Sequence, residues 1–559
     1  SSYGAADGTV QNNYLYTTGI SFPTPAVVAP GADELEFGVP QSLKALYLWN
    51  GQLSDTEAVS VIKGEYKVVP IEPIKADSYS FVYNTDPTNA GVDSITLPYI
   101  VPTVSMRVYW GDTESSRYEQ EVLPQHTYPY PGQYRIQIEA DDGLDAVRIG
   151  DVGGTITRVD QWAPEFRVDA AEEGLTDAQA GGLLKSQTEC VSCPPFKYTD
   201  LTSISEIFAS CKNLSLSSWD AIPYNLPECT SLFRSFWELS LEVTGDKSKF
   251  PQLKTSDKLT NMDSTYYNNR ITGFIDKDDG NKVVYKPLTN SSQVRSFSNT
   301  FAYFRGTKIE LDTSSATNLF QCFNGSSINE YIGGINSRKA ANMEGVFSNS
   351  SLPSTASTPL TTVLGPNFQF DSCSTIKQLF QNCNGISFFP SYDFKGVTNF
   401  YRTWYNCANM VTFEAPTITT ASNKSVSFFG TWYACRGLLS FPLFDTSRVV
   451  NMDGCWYQCE NISPTFPKLD CTNVTSMQST WYKNTSLTSF PEIDTPKVTN
   501  FYECFRECTG LTSFFKIDTS VATSLNLTWY GCSNIISFPK FETGNVTSFQ
   551  NAWGVCEAI

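Results

Sequence analysis

The residue types that support polar catalysis are scarce in this 559-residue chain. It has one histidine, His126, and 16 cysteines. A single imidazole makes His-based metal sites and any repeated His-dependent catalytic unit implausible. Cys190-Val191-Ser192-Cys193 is an isolated CxxC. Without a second pair it is weak evidence for zinc, and a capping disulfide or plain packing fits better. Asp276-Lys277-Asp278-Asp279-Gly280-Asn281 has the look of a calcium loop. Its glycine falls one place early and no closing glutamate follows, so a solvated loop is expected. No nucleophile elbow, P-loop or dinucleotide fingerprint is present, and no carboxylate pair stands out. The expectation is a non-enzyme with no metal and no cofactor. A polysaccharide-degrading enzyme would need an acid pair converging from an inserted loop. The best candidate for binding is a tyrosine series, Tyr405, Tyr433, Tyr457, Tyr482 and Tyr530, each directly following a tryptophan. Flat aromatic rings at fixed spacing suit stacking on sugar rings. The plainer reading is packing between repeats with the hydroxyls wet.

Those tryptophans belong to a register. Trp432, Trp456, Trp481, Phe505, Trp529 and Trp553 are separated by 24, 25, 24, 24 and 24 residues. Phe441-Pro442, Phe466-Pro467, Phe490-Pro491, Phe514-Phe515 and Phe538-Pro539 keep the same period. Upstream the aromatic anchor recurs at Trp404, Phe380, Phe347, Phe323, Phe301, Tyr266, Phe233 and Phe208, with spacings of 22 to 35. That makes 14 repeats over residues 201–559, degenerate before about residue 400. Cys211, Cys383, Cys407, Cys435, Cys459, Cys508, Cys532 and Cys556 stand three places after an anchor, and Asn484 takes that place once. This reads as a ladder of buried free thiols acting as small apolar residues.

One unit, Met477-x3-Trp481-x2-Asn484-x2-Leu487, carries apolar offsets that fit one face of a short helix. Leu487-Thr488-Ser489-Phe490-Pro491 reads as a short strand ended by proline. A strand plus a helical turn cannot bury its own apolar face, so stacked units with a parallel strand ladder are expected. Leu511-Thr512-Ser513-Phe514, Ile517-Asp518-Thr519-Ser520 and Trp529-Tyr530-Gly531-Cys532-Ser533-Asn534-Ile535 carry a resemblance to the BspA-like leucine-rich repeats of bacterial surface proteins. That resemblance implies an α/β leucine-rich-repeat solenoid.

Ahead of the repeats, Val104, Met106 and Val108 alternate with polar residues and lead into Tyr109-Trp110-Gly111-Asp112. His126-Thr127-Tyr128, Pro131-Gly132 and the alternating Tyr134, Ile136 and Ile138 follow. The pattern predicts an antiparallel sandwich over residues 70–157. It resembles a polycystic-kidney-disease-type (PKD) domain, an Ig-like spacer and adhesion module, and by that resemblance His126 is structural. Residues 1–69 read as a small docking module. Within them Leu46-Tyr47-Leu48-Trp49-Asn50-Gly51 reads as strand and turn, and Ser54-Asp55-Thr56-Glu57 caps a short helix over Ala58–Ile62. That phrase is similar to the closing strand and helix of concanavalin-like proteins. Residues 158–200 read as connector and cap. The fold class expected is therefore mixed: an N-terminal all-β, Ig-like part followed by the α/β solenoid.

Charge is uneven. Residues 1–200 hold 28 acidic and 12 basic side chains, a net of −16, and the remainder holds 29 and 27, a net of −2. This balance argues against nucleic acid or an anionic membrane as partner. No run of about 18 apolar residues offers a membrane span, and no charged-then-apolar leader opens the sequence. The ten Asn-x-Ser/Thr sequons, Asn473 and Asn545 among them, are expected from composition. The last repeat ends at its apolar Ile559 with no polar capping unit, so a further segment or another structural subunit is expected over that end. Together these readings point to a surface protein binding a host-surface glycan or protein. The setting expected first is a virion surface, as tail fibre, spike or capsid decoration, because a thiol-rich chain suits folding in a reducing cytoplasm. A secreted or wall-anchored bacterial adhesin at the cell surface is the alternative.

Overall fold

In the computed structural model the described residues are 203–211, 224–239 and 249–559 apart from 272, 281 and 422. Within the front part they are 74–75, 78–85, 93–97, 105–119, 122, 124–128, 133–140 and 155–161, with Glu34–Leu35, Leu46–Tyr47, Cys190 and Cys193. The expected helix over Ala58–Ile62 and nearly all of the 158–200 connector lie outside them. The chain forms two compact units, residues 1–226 with 238–245, and residues 227–237 with 246–559.

The first unit is antiparallel β-structure. Strands β1 (Glu34–Leu35) and β2 (Leu46–Tyr47) pair with each other. Next come β3 (Tyr79–Asn84), β4 (Asp93–Thr96), β5 (Met106–Tyr109), β6 (Ser115–Tyr118), β7 (Gln125–Tyr128), β8 (Gln133–Ala140) and β9 (Thr155–Gln161). Five of them form one sheet in the order β6-β5-β8-β3-β9, and β4 pairs with β7. β3 is the central partner of β8 and β9, which satisfy both its edges, and its side chains are buried on both faces from Tyr79 to Tyr83. β9 runs to Gln161, past the boundary expected at 157.

The motif residues meet at the β5–β6 turn. Trp110 is buried and stacks on His126, ring centres 4.9 Å apart. The His126 Nε2 lies 2.7 Å from Asp112 Oδ2, and the Tyr128 hydroxyl donates to the Trp110 carbonyl at 2.8 Å. Gly111 holds φ +85°, and a Cβ there would lie 2.5 Å from the Arg135 carbonyl oxygen, so the turn admits no side chain.

The second unit contains the repeats apart from the one anchored on Phe208, and the expected α/β leucine-rich-repeat solenoid is not what they form. The described residues contain one helix, the single turn Leu360–Val363. The repeat strands are two to four residues long and lie in sheets of two or three, with no continuous ladder. Parallel pairing persists mainly as single-residue bridges, such as Asn451 to Ser476, Asn500, Ser524 and Ser548 in succession. The strand expected over residues 487–491 reduces to one such bridge, Ser489 with Thr465.

The physical reason lies in the anchor segment. The residues two before and two after each anchor are left-handed. Before it stand Arg402, Gly430, Gly454, Ser479, Glu503, Leu527 and Asn551, and after it Asn406, Ala434, Gln458, Lys483, Glu507, Gly531 and Val555. Their φ values run from +51° to +76°. An L-residue helix cannot pass through such residues. Backbone donors are used differently as well. In the Trp481 repeat, the N–H groups of Met477, Ser479, Trp481 and Lys483 donate forward to the carbonyls of Asn500, Tyr502, Cys504 and Arg506 at 2.7–3.0 Å. The alternate N–H groups of Thr480, Tyr482 and Asn484 close short turns within the repeat. The segment is thus a run of turns zipped to its neighbour.

This zipper stacks the anchors. Trp404, Trp432, Trp456 and Trp481 follow one another at 5.3, 5.6 and 5.7 Å with planes within 8°. A second column, Phe413, Phe441, Phe466, Phe490 and Phe514, packs edge-on against the first. Upstream, the ring in the column is Phe236, stacked 5.7 Å from Tyr266, and not Phe233 as the spacing suggested. Phe236 is the buried one, and the left-handed Arg234 stands two places before it. The indole N–H groups of Trp404, Trp432, Trp456, Trp481 and Trp529 have no acceptor, so the column needs only a flat apolar ring. This is why Phe380 and Phe505 occupy it equally well. Trp456→Ala leaves a void between two stacked indoles and is expected to cost about 3–5 kcal/mol, read by urea denaturation of the intact protein.

Candidate functional site

The tyrosine series sits one place after the anchors, where the zipped backbone turns each ring outward. All five are half-buried. Tyr405, Tyr433, Tyr457 and Tyr482 stack face to face, ring centres 4.7, 4.2 and 4.4 Å apart and planes within 14°. Their inner faces are therefore occupied by one another, and a ligand meets ring edges and hydroxyls. Tyr530 is separated from the other four. Arg506 takes the intervening place in the register, its guanidinium 5.4 Å from the Tyr482 ring and 5.1 Å from the Tyr530 ring.

Charge along the stripe is asymmetric. Arg506 is paired with Glu503 at 2.5 Å and with Glu507 at 3.4 Å, and the Tyr482 hydroxyl donates to Glu507 at 3.1 Å. At the other end Arg402 lies over Tyr401 and Tyr405, 5.2 and 5.0 Å from their ring centres. Burial pushes the phenols of Tyr433, Tyr457 and Tyr482 above the ordinary tyrosine value, so they remain neutral donors. The sequence reading did not include Arg402, Arg506, Tyr401 or Phe429. Arg506 was findable, because it follows Phe505 as each tyrosine follows its tryptophan. Tyr401 and Phe429 stack on each other at 5.3 Å in a parallel outward column three places before the anchor.

The cysteines are buried free thiols, with Cys193 and Cys556 half-buried. In the repeats they do more than fill space. The thiols of Cys383, Cys407, Cys435, Cys459, Cys508, Cys532 and Cys556 each donate to the anchor carbonyl of the preceding repeat, at 2.9–3.1 Å. Asn484 does the same through its amide, 3.0 Å from the Trp456 carbonyl. From the Phe380 repeat onward the position therefore holds a small side chain with a donor, whereas Leu239 and Phe304 take it further upstream. A second set, Cys322, Cys455 and Cys504, stands one place before an anchor. Threonines at that place donate to a carbonyl of the preceding repeat, as Thr480 does to Met452 at 3.1 Å. The acidic loop is the tip of a hairpin between Gly273–Asp276 and Lys282–Val284. Asp276 accepts the N–H groups of Asp278 and Asp279, while Lys254 and Lys282 pair with Asp278 and Asp279. The sequon residues Asn473 and Asn545 spend their amides on the Ser447 and Ser520 carbonyls.

Residues 289–413 and 428–540 match the family model described as Mycoplasma protein of unknown function, DUF285. The repeats are similar to that family. This supports the BspA-like surface-repeat resemblance for the matched blocks. The match leaves residues 1–288 uncovered, so the PKD-type resemblance rests on its own motif residues. No curated protein and no solved structure matches the chain. Among the described residues no helix is long and apolar enough to cross a membrane.

Two outcomes follow from the donor ladder. Asn484 is fully buried with its Oδ1 unpartnered, so Asn484→Cys keeps the donor and removes the orphan acceptor. It is expected to raise stability by about 1 kcal/mol in urea denaturation. Burial also raises the thiols of Cys383, Cys471 and Cys508 from the ordinary 9.0 to about 12. Between those values the folded chain holds protons that the unfolded chain has lost. Stability is then full below pH 9 and falls as pH rises toward 12, visible as a steadily decreasing Tm.

Proposed function

We propose that this protein is a non-enzymatic, surface-displayed binding protein whose repeat array holds a glycan or protein of a host surface. The observation that carries the reading is the outward tyrosine stripe on a saturated, rigid stack. Tyr405, Tyr433, Tyr457 and Tyr482 stand at 4.2–4.7 Å ring spacing, with Arg402 and Arg506 as charged neighbours. Ordered phenols on a preformed surface bind with little loss of side-chain freedom. The first unit is read as a PKD-type spacer, on the strength of the Trp110, Asp112, His126 and Tyr128 cluster.

Two settings fit a surface-repeat protein. The free thiols favour a virion component, assembled in a reducing cytoplasm and displayed afterwards. The family match supports the second setting, a secreted or wall-anchored adhesin. Mass spectrometry of purified virions, set against washed cell envelopes, separates them.

The double substitution Tyr457→Ala, Tyr482→Ala removes the centre of the stripe while leaving the buried column intact. Retention of the labelled protein on host cells or their extracted polysaccharide is expected to fall at least about tenfold. Retention equal to wild type, with an unchanged Tm, would sink the assignment of this face.

A further inference from the structure

Between the two outward aromatic columns lies the column of left-handed residues two places before the anchors. Arg402 shows its position, since one guanidinium reaches both the Tyr401 and the Tyr405 rings. Followed along the stack, this column reads Arg402, Gly430, Gly454, Ser479 and Glu503. Two consecutive repeats therefore carry no side chain there. The stem of Arg402 lies against the first, since a Cβ at Gly430 would stand 3.3 Å from Arg402 Cγ. At Gly454 the nearest atom to an added Cβ is Tyr433 Cδ2, at 3.6 Å. The result is a notch at Gly454, walled by Tyr433, between the outward column that holds Tyr433 and Tyr457 and the one that holds Phe429 and Asp453. Arg402 closes one end and Ser479 the other.

Resting on the surface-binding reading above, we infer that this notch takes a carboxylated sugar of a surface polysaccharide, with the Arg402 guanidinium holding its carboxylate. Three observations converge. First, Phe429 is exposed, and the rims offer phenol edges and hydroxyls, which suit a ring bearing both C–H and O–H groups. Second, no carboxylate among the described residues pairs with Arg402, whereas Arg506 is already neutralised by Glu503 and Glu507. A guanidinium fork recognises a carboxylate with two parallel bonds. Asp453 on the rim accepts from Ser476, Gln478 and Asn451, all neutral donors, so it keeps its negative charge and cannot itself receive the ligand's carboxylate.

Third, the backbone of the notch is spent. The N–H groups of Arg402, Gly430 and Gly454 donate to the Phe429, Asp453 and Gln478 carbonyls, at 3.0, 2.8 and 2.7 Å. Their own carbonyls accept from Tyr405, Tyr433 and Tyr457. A peptide strand recognised by added main-chain pairing finds no free edge. Side chains must do the recognising, which favours a sugar over an extended acidic peptide.

The test is calorimetric titration of the full chain with a galacturonic acid oligosaccharide, its methyl ester and poly-glutamate. Wild type is expected to bind the free acid and not the ester. Arg402→Gln should weaken that binding at least about tenfold, the range of a lost charged hydrogen bond. Gly454→Glu should abolish it with folding retained, because Ser479 and Glu503 occupy the same left-handed place in other repeats at φ +52° and +55°. Equal binding of acid and ester, equal binding of poly-glutamate, or indifference to both substitutions would each overturn the inference. If host-surface retention still depends on Tyr457 and Tyr482 while the acid does not bind, the surface-binding reading stands and the notch assignment alone fails.

Discussion

The structure of the repeat array depends on one interaction, the forward donation of alternate backbone N–H groups from each anchor segment to the next. It works only because two residues per repeat adopt left-handed φ. That conformation is unfavourable for nearly every L-residue, yet Leu527 and Val555 adopt it as Glu503 and Ser479 do. The compensation is that each anchor N–H from Phe236 to Trp529 is satisfied by the next repeat, and the rings from Phe236 to Phe505 are brought into contact at 5.1–6.4 Å along the column. A single unit has neither benefit. The strain and its compensation are therefore properties of the stack, and the array is cooperative between neighbours.

The same interaction accounts for the polar ladders. Once the backbones are zipped, each anchor carbonyl has one lone pair left toward the following repeat. A thiol or an amide three places after the next anchor reaches it, and a threonine hydroxyl reaches another carbonyl from one place before the anchor. The alternation of Cys with Asn at one position and of Thr with Cys at the other follows from donor geometry. Apolar packing explains why these residues are small. It does not explain why they carry a donor.

The period was legible because aromatic spacing survives whatever the backbone does between rings. The backbone itself was not. Offsets such as those of Met477, Trp481, Asn484 and Leu487 fit a helical face, and they arise equally from a run of turns zipped to a neighbour. The signal that would have distinguished the two is left-handed φ, and only glycine advertises it. Gly430, Gly454 and Gly531 mark the positions, but Arg402, Gln458, Lys483 and Glu507 hide them. Taking Phe233 as an anchor failed for a related reason: two aromatics lie three apart, and burial, which selects Phe236, is not visible in spacing. In the first unit, by contrast, Trp110, Asp112, His126 and Tyr128 are a motif whose letters touch one another, so reading them together located a real cluster. The candidate stripe was found by register, while its arginines were missed because they interrupt an aromatic pattern.

A stack that consumes its own main chain has consequences for how it can recognise anything. Its described anchor segments offer no free strand edge, and residues 201–559 carry almost no net charge to steer a ligand. What remains are the outward columns, one place after and two or three places before the anchors. The buried columns are nearly uniform, Trp or Phe on Phe, because they must stack. The outward columns vary from repeat to repeat, Tyr to Arg in one and Arg through Gly to Glu in another, because nothing in the zipper constrains their side chains. Uniform interior columns fix the spacing, and variable outer columns fill it with different chemistry. Specificity in such an array must therefore be local, set by which few side chains fall side by side at one height of the stack.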